Sequence, residues 1–393
     1  MDTVRVGIIG IGNMGSGHFK SIMGGKVPGM TLTAVADIRP ERLDWAAEQA
    51  PDVARFDDAI KMLDSGLIDA AIVATPHYFH PVYVTEALKR DIHVMSEKPA
   101  GVFTKAVREV NELASRSKAT YAIMFNQRTN CVYRKMKEIV DSGAMGQIRR
   151  TNWIITDWYR SQSYYDSGAW RATWSGEGGG VLMNQCPHNL DLWQWICGMP
   201  VEVIARCDMA RYHHIEVEDD ATLTVRYANG ATGIFITSTG EYPGTNRLEI
   251  SGTRGKLVLE EGRLKSWLLR EDEDKVRFSS DLNSPHIPLD YEEWVPEEKE
   301  TAHAGILTNF AAAILKGEKL LSPAEDGLCE LTLSNAAYLS AWQGSVPVSL
   351  PLDEEAFDRL LAEHQETSKY TGQAASSAHH PDGQYSDRWQ VNW

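Results

Sequence analysis

The chain has 393 residues, 43% hydrophobic and 24% charged, which suits a folded protein with room for two domains, each burying its own core. Its formal charge of −15, with no basic stripe, argues against nucleic acid or an anionic membrane as partner. No apolar run approaches the roughly 18–20 residues that span a bilayer, no cleaved-signal pattern opens the chain, and the cysteines form no CxxC pair, so a cytoplasmic protein without a membrane span, disulfide framework or metal site is expected.

Residues 5–37 carry the strongest signal. The β-branched run Val6, Ile8, Ile9 leads into Gly10-x-Gly12-x-x-Gly15 and then into helix-compatible sequence. Gly10 permits the tight turn, Gly12 lets the backbone approach a pyrophosphate, and Gly15 lets helix and strand pack closely. Asn13 and Met14 complete that loop, whose free N–H groups favour negative charge. A second run, Leu32 to Ala36, ends in Asp37, where a carboxylate accepts hydrogen bonds from a ribose diol and repels a 2′-phosphate. NAD is therefore expected over NADP, with Arg39 softening the preference.

Helix, strand and helix then alternate: Pro40–Ala50, Ala59–Leu63, Ala70–Ala74, Val82–Lys89, Ile92–Ser96, Lys105–Ser117, Thr120–Phe125. Such alternation predicts a doubly wound parallel sheet covered by helices. Ligands bind beyond the carboxyl ends of its strands. That singles out Thr75-Pro76-His77 with His80, Glu97-Lys98-Pro99, and Asn126-Gln127-Arg128. Thr75, Pro76, His77, His80, Glu97, Lys98 and Asn126 are read as cofactor-binding, and Arg128 as substrate-binding.

After the helix Cys131–Ser142 the pattern changes to longer strands: Arg149–Trp158, Val201–Cys207, Ala221–Tyr227, Thr232–Thr239, Arg247–Ser251 and Lys256–Leu259. Hairpin signals separate them, so a mostly antiparallel sheet with one open face is expected. Glu271–Lys299, charged and proline-bearing, reads as a surface excursion, followed by helices at Ala302–Leu315 and Ala324–Trp342. The expected organisation is a dinucleotide-binding domain at 1–128, a substrate and oligomerisation domain at 129–350, and a C-terminal extension at 351–393. Tyr385, Trp389 and Trp393 near its end suggest an arm that packs on a neighbouring subunit or on the active-site mouth.

Two places should do chemistry. Lys98 follows a strand end beside the expected nicotinamide, where partial burial lowers a lysine pKa and lets it take a hydroxyl proton. In Gly178–Asp191, Pro187 predicts a helix start that carries His188 near the N-terminus, where the dipole disfavours imidazolium. His188 is the candidate general base. Asp191 is suited to orienting its ring, to capping, or to a surface ion pair.

Taken together, Gly10/Gly12/Gly15, Ala74-Thr-Pro-His77-Tyr-Phe-His80, Glu97-Lys98-Pro99, Phe125-Asn126-Gln-Arg128 and Gly178–Asp191 resemble the Gfo/Idh/MocA oxidoreductases, from residue 1 to about 345. The resemblance implies an N-terminal Rossmann domain, an open and mostly antiparallel α/β domain that often mediates association, and hence a homo-oligomer (dimer or tetramer). It also implies that Lys98 is the catalytic lysine and His188 the proton-handling histidine. Two departures stand out. Asn184 replaces the aspartate found in many members, and an amide holds a sugar hydroxyl but cannot accept its proton. His77 replaces a commoner asparagine.

Trp158, Tyr159, Arg160, Trp170 and Arg171 offer aromatic platforms flanked by polar groups, which suit a carbohydrate, although aromatics in such runs are often core. The two arginines suit an anionic group on a sugar. The leading expectation is NAD-dependent oxidation of a ring hydroxyl of a sugar, cyclitol or glycoside. The alternatives are glycoside hydrolysis through transient oxidation, elimination, water addition and re-reduction, and a non-catalytic sugar or NAD sensor.

Overall fold

The structure is a computed structural model that describes residues 2–297 and 300–369. The terminal aromatics Tyr385, Trp389 and Trp393 lie outside the described residues. Six strands form the first sheet: β1 (Val4–Ile9), β2 (Met30–Ala36), β3 (Ala54–Phe56), β4 (Ala70–Val73), β5 (His93–Ser96) and β6 (Tyr121–Ile123). All are parallel, in the order β3-β2-β1-β4-β5-β6. The β-branched runs of β1 and β4 are buried on both faces, as a sheet with helices on either side requires. Strand order reverses between β1 and β4, so the crevice at their carboxyl ends is the switch point where such sheets take ligands.

The second sheet has nine strands: β7 (Ile148–Ile155), β8 (Glu202–Met209), β9 (Glu218–Arg226), β10 (Thr232–Ser238), β11 (Asn246–Gly252), β12 (Gly255–Glu260), β13 (Arg263–Leu269), β14 (Leu289–Trp294) and β15 (Val348–Ser349). Their order is β14-β13-β12-β11-β7-β10-β9-β8-β15, with β7 and β10 the one parallel pair. Alternate residues of β9 and β10 face inward, where Trp193 on the helix Pro187–Cys197 stacks on Phe235. The other face is open and exposes Ile154 and Ile234.

The helix start at Pro187 and the parallel sheet agree with expectation. The surface excursion does not. Residues 289–294 form β14, an edge strand, and only Trp294 of its six residues is partly buried, so the apolar alternation that betrays a strand is missing. The helix Ala302–Lys316, although it follows the second sheet in the chain, inserts Ile306, Leu307 and Phe310 into the core beneath the first.

Arg128 is also placed differently from the sequence reading. Its guanidinium makes a bidentate pair with Asp191 (2.8 and 2.6 Å), a third bond to Asp326 (2.6 Å) and a fourth to the carbonyl of Leu321 (3.0 Å). Both Arg128 and Asp191 are about 1% exposed at the side chain. The residue therefore ties the end of the first sheet to the helices Pro187–Cys197 and Ala324–Trp342, and its donors are spent on that tie rather than on substrate. Asp191 likewise serves this tie and not the His188 ring. Arg128→Met should cost about 3–5 kcal/mol, because Asp191 is left as an unpaired buried charge. Denaturant melts would show it, and Arg128→Met/Asp191→Leu should recover part of the loss; equal midpoints for wild type and Arg128→Met would dismiss this account.

Candidate active site

The glycine loop is built tightly. Gly10 has φ +86°, and a Cβ there would lie 2.8 Å from the carbonyl oxygen of Ala74 at the end of β4. A Cβ on Gly15 would collide with the carbonyl of Gly10. Gly12 is different: the protein itself leaves the space above it open, with the Arg39 guanidinium nearest at 4.0 Å. The first two glycines thus serve packing, and the third leaves backbone approachable. Asn13 and Met14 are exposed on the first helical turn.

Asp37 is buried at the end of β2. Its Oδ2 accepts from the Ile11 amide (2.8 Å), and its Oδ1 accepts from the backbone and Nε of Arg39 (3.0 and 3.3 Å). Buried Arg42 braces the loop from behind through the carbonyl of Ile11 (2.7 Å) and the hydroxyl of Ser16 (2.6 Å).

At the neighbouring strand ends, Glu97 pairs with His18 of the glycine-loop helix (2.6 Å), both buried. Burial works to raise the Glu97 pKa, but His18, His303 and Lys98 outweigh it and bring it down to about 2. His80 sits between the carbonyls of Thr75 and Pro99, 2.7 Å from each. It fastens the β4 end to the Lys98 segment. His77 meets the carbonyl of Glu177 (2.9 Å), and burial keeps it neutral.

Lys98 reaches across to the second sheet's layer. Its Nζ donates to the backbone carbonyl of Asn184 (2.6 Å). Burial lowers its pKa, against the opposing pull of Glu97, Glu177 and Glu330. His188 lies in the same pocket, held neutral chiefly by burial and then by Lys98, and its buried Nδ1 has no partner among the described residues. Asn184 joins them from the glycine-rich turn.

The aromatic residues divide. Trp170 packs near His77 (6.0 Å between rings), and Arg171 lies over Trp170 (4.6 Å) while donating to the Tyr164 hydroxyl (2.9 Å). Arg160 lies over Trp158 and Tyr164, and Trp158 donates to Asn189 (3.1 Å). These four belong to one rim. Tyr159 is half exposed and turns to Tyr242 instead.

Sequence reasoning passed over three buried acids. Glu177 stands directly before Gly178–Gly180 and accepts from the Ala172 amide (2.6 Å) and the Asn184 side chain. Glu218 accepts from the amides of Gly180 and Leu182 (2.9 Å each) and from Tyr338 (2.8 Å), which shapes the glycine run; burial pushes it up to about 7. Glu330 is fully buried and accepts from Ser334 (3.1 Å), with its other oxygen unpartnered among the described residues. Its signal was available: a lone acid in the apolar stretch Leu328-Cys-Glu-Leu-Thr-Leu.

An NAD molecule fits this crevice on the chain's own terms. Among the described residues, Thr75 Oγ1, Asn126 Oδ1 and His188 Nδ1 are buried polar atoms without partners, all on segments bordering the carboxyl-end crevice, and Gly12 leaves its backbone open.

Comparison with known proteins agrees. Residues 4–125 match the oxidoreductase family with an NAD-binding Rossmann fold, and residues 133–258 match the GFO/IDH/MocA C-terminal domain. An inositol 2-dehydrogenase of Rhizobium meliloti is 25% identical over 349 residues, covering 86% of this chain and 97% of that one. A glycosyl hydrolase family 109 protein of Saccharopolyspora erythraea is 32% identical over 190 residues, covering 44% of this chain and 40% of that one. Among solved structures, the WlbA dehydrogenase of Bordetella pertussis, in complex with NADH and UDP-GlcNAcA, is 25% identical with a TM-score of 0.74, covering 89% of this chain and 100% of that one.

Burial raises the Glu330 pKa to about 8, with Asp191 adding to the rise and Ser334 and Lys98 opposing it. Since the folded value lies above the unfolded one, the stability this group lends is complete below about pH 4 and is lost as pH rises through about 8. Glu330→Gln should therefore melt higher than wild type at about pH 9 and not at about pH 5, by on the order of 1–3 kcal/mol. A pH-independent difference would mean that Glu330 is not titrating in this range.

Proposed function

The chain belongs to the GFO/IDH/MocA oxidoreductase family, and from that membership we propose that it oxidises a ring hydroxyl of a sugar, cyclitol or glycoside with NAD. One observation carries the reading: Lys98 leaves the crevice of the first sheet and bonds the turn that bears Asn184 and His188. Acid–base groups thereby face the strand ends where the cofactor belongs. Gly10, Gly12, Gly15, Asp37, Thr75 and Asn126 would hold the cofactor, with Arg39 over the Asp37 carboxylate. The bound nicotinamide supplies acceptance of a hydride from the carbinol carbon. The chain's residues supply the rest.

Lys98, with its lowered pKa, takes the hydroxyl proton and steadies the oxyanion as it forms. His188 is buried and neutral, so its unpartnered Nδ1 is ready to share that proton. Asn184 holds a hydroxyl of the ring. Trp158, Trp170, Arg160 and Arg171 line the substrate rim, and the arginines favour a substrate with an acidic group. Tyr159 reaches it only from outside, and Arg128 is no longer included.

We divide the chain as 1–128, 129–350 and 351–393, with the helix Ala302–Lys316 lent to the first core. A homo-oligomer, dimer or tetramer, is supported by the open sheet face with Ile154 and Ile234. A cytoplasmic location is supported by five free cysteines; among the described residues no helix is long and apolar enough to cross a membrane. The glycosidase reading is not favoured, because the hydrolase relative matches less than half the chain whereas the inositol dehydrogenase matches most of it. The presence of Lys98 and His188 argues against a sensor.

Two measurements test this. Lys98→Met should bind NAD as wild type does while kcat falls about 10²–10⁴-fold; turnover within a few-fold of wild type would remove Lys98 from the mechanism. Incubation with a panel of cyclitols, free sugars and chromogenic glycosides should form NADH without aglycone release. Release without net NADH, lost when NAD is stripped, would restore the glycosidase reading.

A further inference from the structure

Asn184 is held from both ends. Its backbone carbonyl accepts from Lys98 Nζ (2.6 Å), and its side-chain amide donates to Glu177 Oε1. Glu177 is 2% exposed and is itself fixed: Oε2 accepts from the Ala172 amide (2.6 Å), Oε1 lies 3.7 Å from Arg171, and its backbone carbonyl meets His77 (2.9 Å). Burial raises the Glu177 pKa, while Arg171, the Ala172 amide, Asn184 and Lys98 pull it back toward the carboxylate; since the Asn184 –NH₂ donates to its Oε1, the amide oxygen faces the other way. A buried carboxylate gripped this closely by site residues is more than the turn needs, since Glu218 already holds the glycine run.

We propose that Glu177 is the carboxylate of this active site, a positioning residue that turns the Asn184 amide oxygen toward the substrate hydroxyl and sets negative charge opposite Lys98. This rests on the oxidation proposed above. Position 184 carries an amide, and the acid stands one side chain further back. The amide oxygen then receives the hydrogen bond of a ring hydroxyl, while the proton leaves by way of Lys98. Lys98 is surrounded by Glu97, Glu177 and Glu330 on the acidic side, by Arg171 on the basic side, and by the histidines His77, His80, His188 and His303, whose own positive charge it opposes. Of the three acids, Glu97 is paired with His18 and Glu330 lies on the far helix. Glu177 is the one joined to the substrate-side turn.

The experiment compares Glu177→Gln, Asn184→Asp and the double variant, which moves the carboxylate from 177 to 184. Glu177→Gln should lower kcat about 10–100-fold with the NAD dissociation constant unchanged, and the double variant should return most of that loss. Asn184→Asp alone sets two carboxylates together and should raise the acid limb of the pH profile by about one unit. A merely structural Glu177 would leave the double variant no better than the single. Recovery absent, or Glu177→Gln retaining more than half of kcat with the same pH profile, would overturn the proposal. Should Glu177→Gln fail to fold, an unmoved acid limb in Asn184→Asp would overturn it instead.

A second readout needs no turnover. Acetylation of Lys98 by acetic anhydride, followed by mass spectrometry across pH, reports its protonation. In Glu177→Gln the midpoint should fall, making Lys98 several-fold more reactive at a fixed pH near its midpoint; an unchanged midpoint would overturn the proposal. Wild type inert toward every sugar and cyclitol, with the midpoint still moving, would sink the substrate assignment and leave the Glu177 assignment standing.

Discussion

The hydrogen bond from Lys98 Nζ to the carbonyl of Asn184 joins two structures that the chain builds separately. On one side is the end of β5 in a parallel sheet; on the other is a glycine-rich turn that leads into the helix Pro187–Cys197. Neither half makes a site alone. A buried ammonium needs acceptors and counter-charge, and the fold surrounds this one with three acids drawn from β5's end, the glycine-rich segment and the helix Ala324–Trp342.

Those carboxylates do not share one state. Glu97, paired with His18, is held ionised, whereas burial drives Glu218 and Glu330 toward protonation near neutral pH and raises Glu177 against the pull of Arg171 and Lys98. Groups with environments that push their pKa values apart are the raw material of acid–base chemistry. They are also a source of instability, whereas the Arg128–Asp191–Asp326 cluster ties the end of the first sheet to two helices. A buried group for chemistry and a buried charge for cohesion lie three residues apart on one helix, His188 beside Lys98 and Asp191 on Arg128.

What could be read in advance follows from locality. The turn after β1, the acid after β2, the lysine after β5 and the proline that opens the His188 helix depend on a few adjacent residues, so their chemistry is written in short motifs. Arg128 was misjudged because its role is set by Asp191 and Asp326, far along the chain. Glu177 escapes notice because an acid beside glycines looks like a solvated loop, and Glu218 because the acidic run Glu218-Asp219-Asp220 looks like a solvated surface, until the strands around them close. β14 escaped because an exposed edge strand of Leu-Asp-Tyr-Glu-Glu-Trp has no buried face to impose alternation.

The same non-locality extends to the last described helix, Glu354–Glu366. His364 packs on Trp174 and Trp342, and Gln365 donates to the Tyr78 hydroxyl (2.8 Å), which in turn donates to the carbonyl of Trp174. The Ser368 hydroxyl receives the Ser175 amide (3.2 Å), and the Lys369 amide meets Glu216 (2.9 Å). Tyr78 adjoins His77, and Trp174 and Ser175 lead directly to Glu177. The helix therefore clamps together the two segments that carry His77 and Glu177, which also meet directly through the His77–Glu177 and Tyr78–Trp174 hydrogen bonds. A catalytic geometry that depends on tenths of an ångström is better served by such a remote clamp than by the glycines beside it, because glycines supply room but no stiffness.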